Sequence, residues 1–523
     1  MRVLLATIGI AVAASHAGST QEHQHELGTV TFRVSCNAEA QTRMNRAVAM
    51  LHSFWFPEAR KTFESVVHAD PGCGIAYWGI AMTHFGNPMA GGSTADGQAA
   101  GWAAAQKGAS IGGRSERDRG YVAGAVALFQ DHASLSNRER MLKYEASLKN
   151  IVERFSDDTE AQIFHAIFRV ANASPTDLTF AQQKDAAQLL TRLYRQHPKH
   201  PGLAHYIIHA FDSPPLANLA LDAARQYAQI APAAPHALHM PSHIFTRLGY
   251  WDESIKTNRR SADLEPTPGG KSHPLDYLAY AYLQQGRDDA ALAVIKEIGG
   301  NTTGEYIAGA LGSYNALAMP ARFALERDDW KSAASLTVPA TSPTPEAVAV
   351  THFAKGLGAA RAGDVSLAKQ EVAALEKIVA DLTARKDAYW PIVVDAQRMA
   401  VSAWVAHIEG RHADALRLAR DAADKEERVE KHPVTPGPLI PARELLGDIL
   451  LLHKQPAEAL VAYELTLKHE PNRTRTLLGA ARAARGAGQN ELARKYYRQA
   501  LEIMDPKSTR PALEEAKAFA RGK

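Results

Sequence analysis

The chain has 523 residues, a formal net charge of +3, 22% charged residues and 46% hydrophobic ones. So small a charge excess carries no footprint for nucleic acid or a polyanionic surface, and the length exceeds what one compact core usually supports, so several domains or a repeat array are expected. HExxH, a Walker loop and GxGxxG are all missing from the sequence, which leaves no standard zinc-protease or nucleotide-cofactor motif.

In chain order, MRVLLATIGIAVAASHAGST opens with Arg2 as a minimal positive region, continues with an apolar run over 3–14, and offers Ser15-His16-Ala17 as a small-x-small cleavage site. Residues 1–17 therefore read as a secretory signal peptide, and the mature chain is expected to be periplasmic or secreted, with no later stretch apolar for long enough to cross a bilayer. Residues 18–39 follow as an N-terminal arm, in which LGTVTFRV (27–34) alternates apolar and polar residues and predicts one short extended segment. Cys36 and Cys73 are the two cysteines; in an oxidising compartment the simplest reading is a disulfide tying the arm to the first helical unit, the other being two buried thiols.

Beyond the arm, internal repeats decide the fold. IPARELLGDILLLHKQPAEALVAYELTLKHEPNR (440–473) sets Gly447, Ala459, Tyr463, Thr466 and Pro471 close to the small-and-aromatic pattern of a tetratricopeptide repeat, and 474–507 keeps its second half with Ala493, Tyr497 and Ala500. Earlier units recur at 201–234 and 235–268, and others are recognisable around Ala59, Phe63 and Pro71, and around Gly286 and Ala291. The expected architecture is an all-α helical solenoid of roughly ten or eleven repeats. It divides into a helical region with insertions over 40–200, central units over 201–341, a further repeat-like region over 342–433, and C-terminal units with a capping helix over 434–523. KHPVTPGPLIP (431–441) is a proline-rich connector.

The chemistry lies in LAHYIIHAFD (203–212) and ALHMPSHIFT (237–246), where His205 and His209 recur 34 residues later as His239 and His243. In tetratricopeptide arrays the second, fifth, ninth, twelfth and thirteenth residues of each first helix face the concave groove. Counted from Pro201 and Pro235, these four histidines are fifth and ninth, so they should stack on one inner surface, with residues four apart sharing a helix face. A unit counted from Ser272, after a Gly-Gly insertion, adds His273, Asp276 and Tyr280. The metal-ligand candidates are then His205, His209, His239, His243, His273 and Asp276, for zinc, copper or iron.

Asp212 is placed to hydrogen-bond His209, and Pro241 threatens to leave His239 on a separate helical turn. If the site is catalytic, an open metal position would support Lewis-acid hydrolysis or oxidation, with Tyr280 or Asp276 as proton-transfer candidates. Arg247 and Arg322 are candidates to hold an anionic ligand group, and Trp78, Trp404, Glu444 and Asp448 are further groove-lining candidates. The competing reading is a metal-free periplasmic adaptor that grips a peptide or protein partner in its groove. Both readings place a small-molecule or peptide ligand in the concave face, with no nucleic acid and no nucleotide cofactor.

LHSFWFPEA (51–59), DPGCGIAYWGIAM (70–82), AHYIIHAFD (204–212), PHALHMPSHIFTRLGYWDESI (235–255), HPLDYLAYAYLQ (273–284) and VTPGPLIPARELLGD (434–448) together resemble a poorly characterised family of exported bacterial tetratricopeptide-repeat proteins. The resemblance spans nearly the whole mature chain and implies fold and export, without a reaction.

Overall fold

The computed structural model describes residues 26–90, 92–300, 314–339 and 344–521; the signal-peptide reading lies outside the described residues. Antiparallel helix pairs follow one another along the chain: α1 (Ala38–His52) with α2 (Phe56–Ala69), α3 (Ile75–Phe85) with α4 (Ala95–Ile111), α5 (Glu116–Phe129) with α6 (Asn137–Arg154), and α7 (Thr159–Ala171) with α8 (Ala181–Gln196). The central units are α9 (Pro201–Ala210) with α10 (Leu221–Ile230), α11 (Pro235–His239) and α12 (Pro241–Arg247) with α13 (Trp251–Leu264), α14 (Pro268–Gln284) with α15 (Asp288–Glu297), and α16 (Tyr314–Leu325) with α17 (Trp330–Ala334). The array continues with α18 (Pro345–Ala362) and α19 (Val365–Ala384), α20 (Trp390–Ile408) and α21 (His412–Glu426), α22 (Ala442–Leu452) and α23 (Pro456–His469), then α24 (Thr474–Gly486) and α25 (Asn490–Ile503), and is capped by α26 (Pro511–Ala520). This is an all-α tetratricopeptide-repeat solenoid. No helix among the described residues is long and apolar enough to cross a membrane.

Local chemistry explains the boundaries. Proline opens α9, α11, α12, α14, α18 and α23 at the first or second position, where a missing N–H costs nothing because those donors have no intrahelical acceptor. Small residues let helices approach: a Cβ on Gly447 or on Gly479 would stand 2.7 or 2.5 Å from the Tyr463 ring, so the aromatic of α23 seats between α22 and α24 only because both lack a side chain there.

The arm is extended, with Val30 and Phe32 buried and Thr31 and Arg33 turned outward, yet among the described residues it joins no β-ladder. Side-chain amides take the place of a partner strand: Asn45 accepts from the Phe32 N–H at 3.0 Å, and Gln41 from the Val34 N–H at 2.9 Å. Cys36 and Cys73 form a disulfide with a Cα–Cα distance of 5.5 Å that joins the arm to the turn before α3.

The superhelix closes on itself. Trp251 Nε1 donates to the Asn472 carbonyl at 3.0 Å, the Thr474 N–H donates to Gln284 Oε1 at 3.0 Å, and the Asp505 N–H donates to the Gln285 carbonyl at 2.8 Å. Gly249 permits this docking: it sits at φ +68°, and a Cβ there would lie 2.4 Å from the Pro471 carbonyl oxygen. The connector between α21 and α22 runs inside the closed array. Arg322 donates to the Pro438 carbonyl at 2.9 Å and the Gly437 carbonyl at 2.7 Å, and Asn315 donates to the Val434 carbonyl at 2.6 Å. The inner face of the central repeats is thereby covered by the chain's own backbone.

A candidate metal centre of six histidines

Helix α9 carries His205 and His209 on one face, and α11 and α12 carry His236, His239 and His243. Pro241 does interrupt the second helix at Met240, but Met240 keeps right-handed helical dihedrals (φ −53°, ψ −34°), so the i, i+4 relation survives. His239 Nε2 consequently lies 3.0 Å from His243 Nε2. The next unit holds the 34-residue register without a slip, because Gly269 and Gly270 are absorbed into the first turn of α14. The positions equivalent to His205/His239 and His209/His243 are thus His273 and Tyr277, and both face the cluster.

Two groups of three result. His205, His209 and His236 offer ring nitrogens that lie within 4.8 Å of one another, and so do His239, His243 and His273. The groups adjoin: His209 and His243 have ring centroids 6.0 Å apart, and His236 and His239 5.9 Å.

Four of the rings are fixed through Nδ1. His205 Nδ1–H donates to the His52 carbonyl at 2.6 Å, and His273 Nδ1–H to the Val434 carbonyl at 3.1 Å. His243 Nδ1–H donates to the Asp212 carboxylate at 2.8 Å. His239 Nδ1–H donates to Asn258 Oδ1 at 2.6 Å, and the Asn258 amide is oriented by donating its own N–H to the Ser254 carbonyl at 2.7 Å. In a neutral imidazole, donation from Nδ1 leaves Nε2 as a bare lone pair. The 3.0 Å contact between His239 and His243 therefore opposes two lone pairs with no proton between them, an arrangement that a cation relieves. Both ring nitrogens of His209, which is 6% exposed, have no hydrogen-bond partner.

The rings are held neutral. Burial, reinforced by the neighbouring imidazoles, keeps His205, His209, His236, His239 and His273 well below the usual histidine range. Burial also lowers His243, with the Asp212 carboxylate opposing it. Neutral imidazole with its second nitrogen hydrogen-bonded is the form that ligates metals. Around the rings, Asp212 also accepts from Arg247 Nε at 3.2 Å and Lys431 Nζ at 3.0 Å, and Tyr277 OH lies 3.3 Å from His243 Nδ1. One side opens on a cavity of about 970 Å³ lined by His209, Asp212, Lys431, His432, Tyr389 and Trp390, among others.

The other sequence candidates lie elsewhere. Asp276 is fully buried and is held by Arg322 Nε at 3.0 Å and Asn315 Nδ2 at 3.1 Å, so it belongs to the clamp on the connector and not to the grouped ligands. Tyr280 turns away to Arg473 at 3.1 Å. Arg247 and Arg322 are buried among carboxylates and backbone carbonyls. Trp78 is a core residue stacked on Phe32 with its indole N–H on Tyr144, and Trp404 packs in the core of the later repeats under Arg361. Glu444 is bound by Arg473 and Arg475, and Asp448 by Tyr463 and Arg475. Asp212 bonds His243 in place of His209.

Sequence reasoning missed His236, Tyr277, Asn258 and Lys431. His236 carried a signal, since it is the second residue of its unit, one of the inward positions. Tyr277 was hidden by assuming an insertion. Among the described residues two other groupings stand apart: His52 and His200 bridged by the buried Glu160 carboxylate, and the less buried His407, His412 and His453 on the later repeats.

No family model and no curated protein matches the chain. Solved structures do. The Cut9–Hcn1 hetero-tetramer of APC/C is similar at 13% identity and a TM-score of 0.38, over 94% of this chain and 77% of that one. Human IFIT1 with PPP-AAAA aligns at 11% identity and a TM-score of 0.40, over 90% of this chain and 96% of that one. Yeast Tom70 aligns at 10% identity and a TM-score of 0.30, over 92% and 95% of the two chains.

Proposed function

We propose that this protein is an exported metalloprotein whose closed solenoid holds a transition metal on the six-histidine centre and presents it to a small molecule entering the adjoining cavity, where the metal carries out hydrolytic or oxidative chemistry. The observation that carries this reading is the pair of Nδ1-anchored imidazoles, His239 and His243, whose Nε2 lone pairs face each other at 3.0 Å with no proton between them. His209, unpartnered and lining the cavity, marks the side from which a ligand reaches the metal. Lys431, which lines the cavity and pairs with Asp212, offers a cationic group to an anionic ligand there.

A peptide adaptor needs a free concave face. Here residues 434–438 accept hydrogen bonds from Asn315 and Arg322 along that face, which favours a small-molecule ligand over a bound peptide.

Elemental analysis of protein purified without chelator or affinity metal tests the proposal. A stoichiometric transition metal is expected, lost in a His205→Ala/His239→Ala variant that keeps its helical circular-dichroism spectrum. Folded wild-type protein that takes up no zinc, copper or iron, and whose melting temperature is indifferent to a chelator, would overturn it.

A further inference from the structure

Resting on the metal reading, we infer that the centre is a pair of copper ions, one on His205, His209 and His236 and the other on His239, His243 and His273, and that it takes dioxygen as a substrate.

The partition comes from the geometry. The ring nitrogens divide into two sets of three, each compact enough for one ion. Rings of the two sets approach to 5.9 and 6.0 Å between centroids, so ions bound to each set would be neighbours facing one space. Each set contains a helical i, i+4 pair, His205/His209 and His239/His243, and takes its third ring from the following repeat or helical turn: His236 and His273.

The donor set points to copper. All six donors are neutral, and the two nearest carboxylates are committed elsewhere, Asp212 to His243, Arg247 and Lys431, and Asp276 to Arg322 and Asn315. Two divalent ions would bring four positive charges into a buried site whose carboxylates, Asp212, Glu430 and Glu470, are already matched against Lys431 and Arg247, and burying uncompensated charge is costly. Two cuprous ions bring half that charge, and imidazole is a favourable ligand for copper. Manganese draws on carboxylates that this site does not supply, and a zinc or ferrous pair, though suited to imidazole, would carry the full four charges.

Two adjacent cuprous ions match what dioxygen needs. Each ion gives up one electron and becomes cupric. Dioxygen gains the two electrons, its O–O bond falls to the peroxide level, and it takes two protons from two waters and leaves as hydrogen peroxide, while the two hydroxides stay and offset the charge that the cupric pair has gained. No further reductant is required for this single turnover. The cavity reaches His209, which gives the gas a path to the first ion, and the second ion would stand beside it across the His209–His243 approach.

The test uses the full chain in a His407→Ala/His453→Ala background, which removes the other three-histidine grouping from the count. Metal-free protein is titrated anaerobically with cuprous ion, then exposed to oxygen while uptake is followed by an electrode and the oxidised sample by electron paramagnetic resonance. Two coppers per chain are expected, with one dioxygen consumed per pair and a cupric signal far below the copper content because adjacent spins couple. His236→Ala should bind one copper and lose the oxygen uptake while its melting temperature in the metal-free state stays near that of the parent. A single copper in the parent, or two that are inert to oxygen, overturns the inference while the metal reading stands. So does retention of two zinc ions with exclusion of copper. Uptake of no transition metal overturns both.

Discussion

A histidine with one nitrogen spent on a fixed acceptor has a single ligand atom left, and its direction is set before any metal arrives. Asn258 does this for His239: its Oδ1 accepts from Nδ1 at 2.6 Å while its own N–H groups are tied to Ser254. Asn258→Ala should therefore leave the six ligands present but free the His239 ring to turn. Outer partners of this kind are worth roughly 10- to 100-fold in metal affinity. That loss is expected by competition against a chromophoric chelator, and unchanged affinity would show that Asn258 only packs. At this scale the sequence was partly legible. Four of the six histidines announce themselves by their spacing and His273 by its inward position, but the partners of Nδ1 do not, since the His52 and Val434 carbonyls come from segments over a hundred residues away.

Elements of the solenoid were easier to read than their joints. Proline and small-residue spacing places the helix pairs, because a tetratricopeptide unit depends on close approach at fixed positions, as Gly447, Gly479 and Tyr463 show. The Gly-Gly pair at 269–270 reads as an insertion, yet the helix takes it in without changing register, and that is why Tyr277 faces His243 while Tyr280 does not. Alternation in the arm correctly marks which side of 27–34 is buried, but it cannot show that side-chain amides replace a partner strand. The arm's attachment is testable. Its disulfide closes a sequence separation of 37 residues, and removing such a bridge typically costs about 2–4 kcal/mol. Cys36→Ala/Cys73→Ala should lower the denaturant midpoint by that measure. Because repeat arrays couple mainly between neighbours, hydrogen exchange should quicken in α1 and α2 and leave α24 and α25 unchanged.

Over the whole molecule, the decisive feature is closure, which no local pattern encodes. Contacts across it pair residues around 249–288 with residues around 472–510, and they depend on a buried charge network at the seam. Arg473 donates to Glu444 at 2.8 Å, to Glu326 at 2.5 Å and to Tyr280 at 3.1 Å, and Arg475 also pairs with Glu444. Burial pushes the Glu444 carboxyl up, but Arg473, Arg475 and Thr476 more than offset it and bring it down from 4.5 to about 2. A carboxyl lowered by folding contributes stability above its unfolded pKa, and that contribution is lost as the pH falls toward the folded value, because the unfolded chain binds the proton first. For Glu444 it is on the order of 3 kcal/mol near neutrality, declining below about pH 4.5. Glu444→Gln keeps the shape and removes the charge, so it should destabilise the protein by a similar amount, about 3 kcal/mol, at neutral pH, where it leaves two buried guanidinium groups short of a partner. The diagnostic outcome is the pH dependence of the difference. Denaturation curves of both proteins should converge as the pH is lowered from about 5 toward 3, since the wild type then loses what the variant never had. A gap that stays constant over that window would mean that Glu444 stabilises the seam by hydrogen bonding alone, and that closure does not depend on its charge.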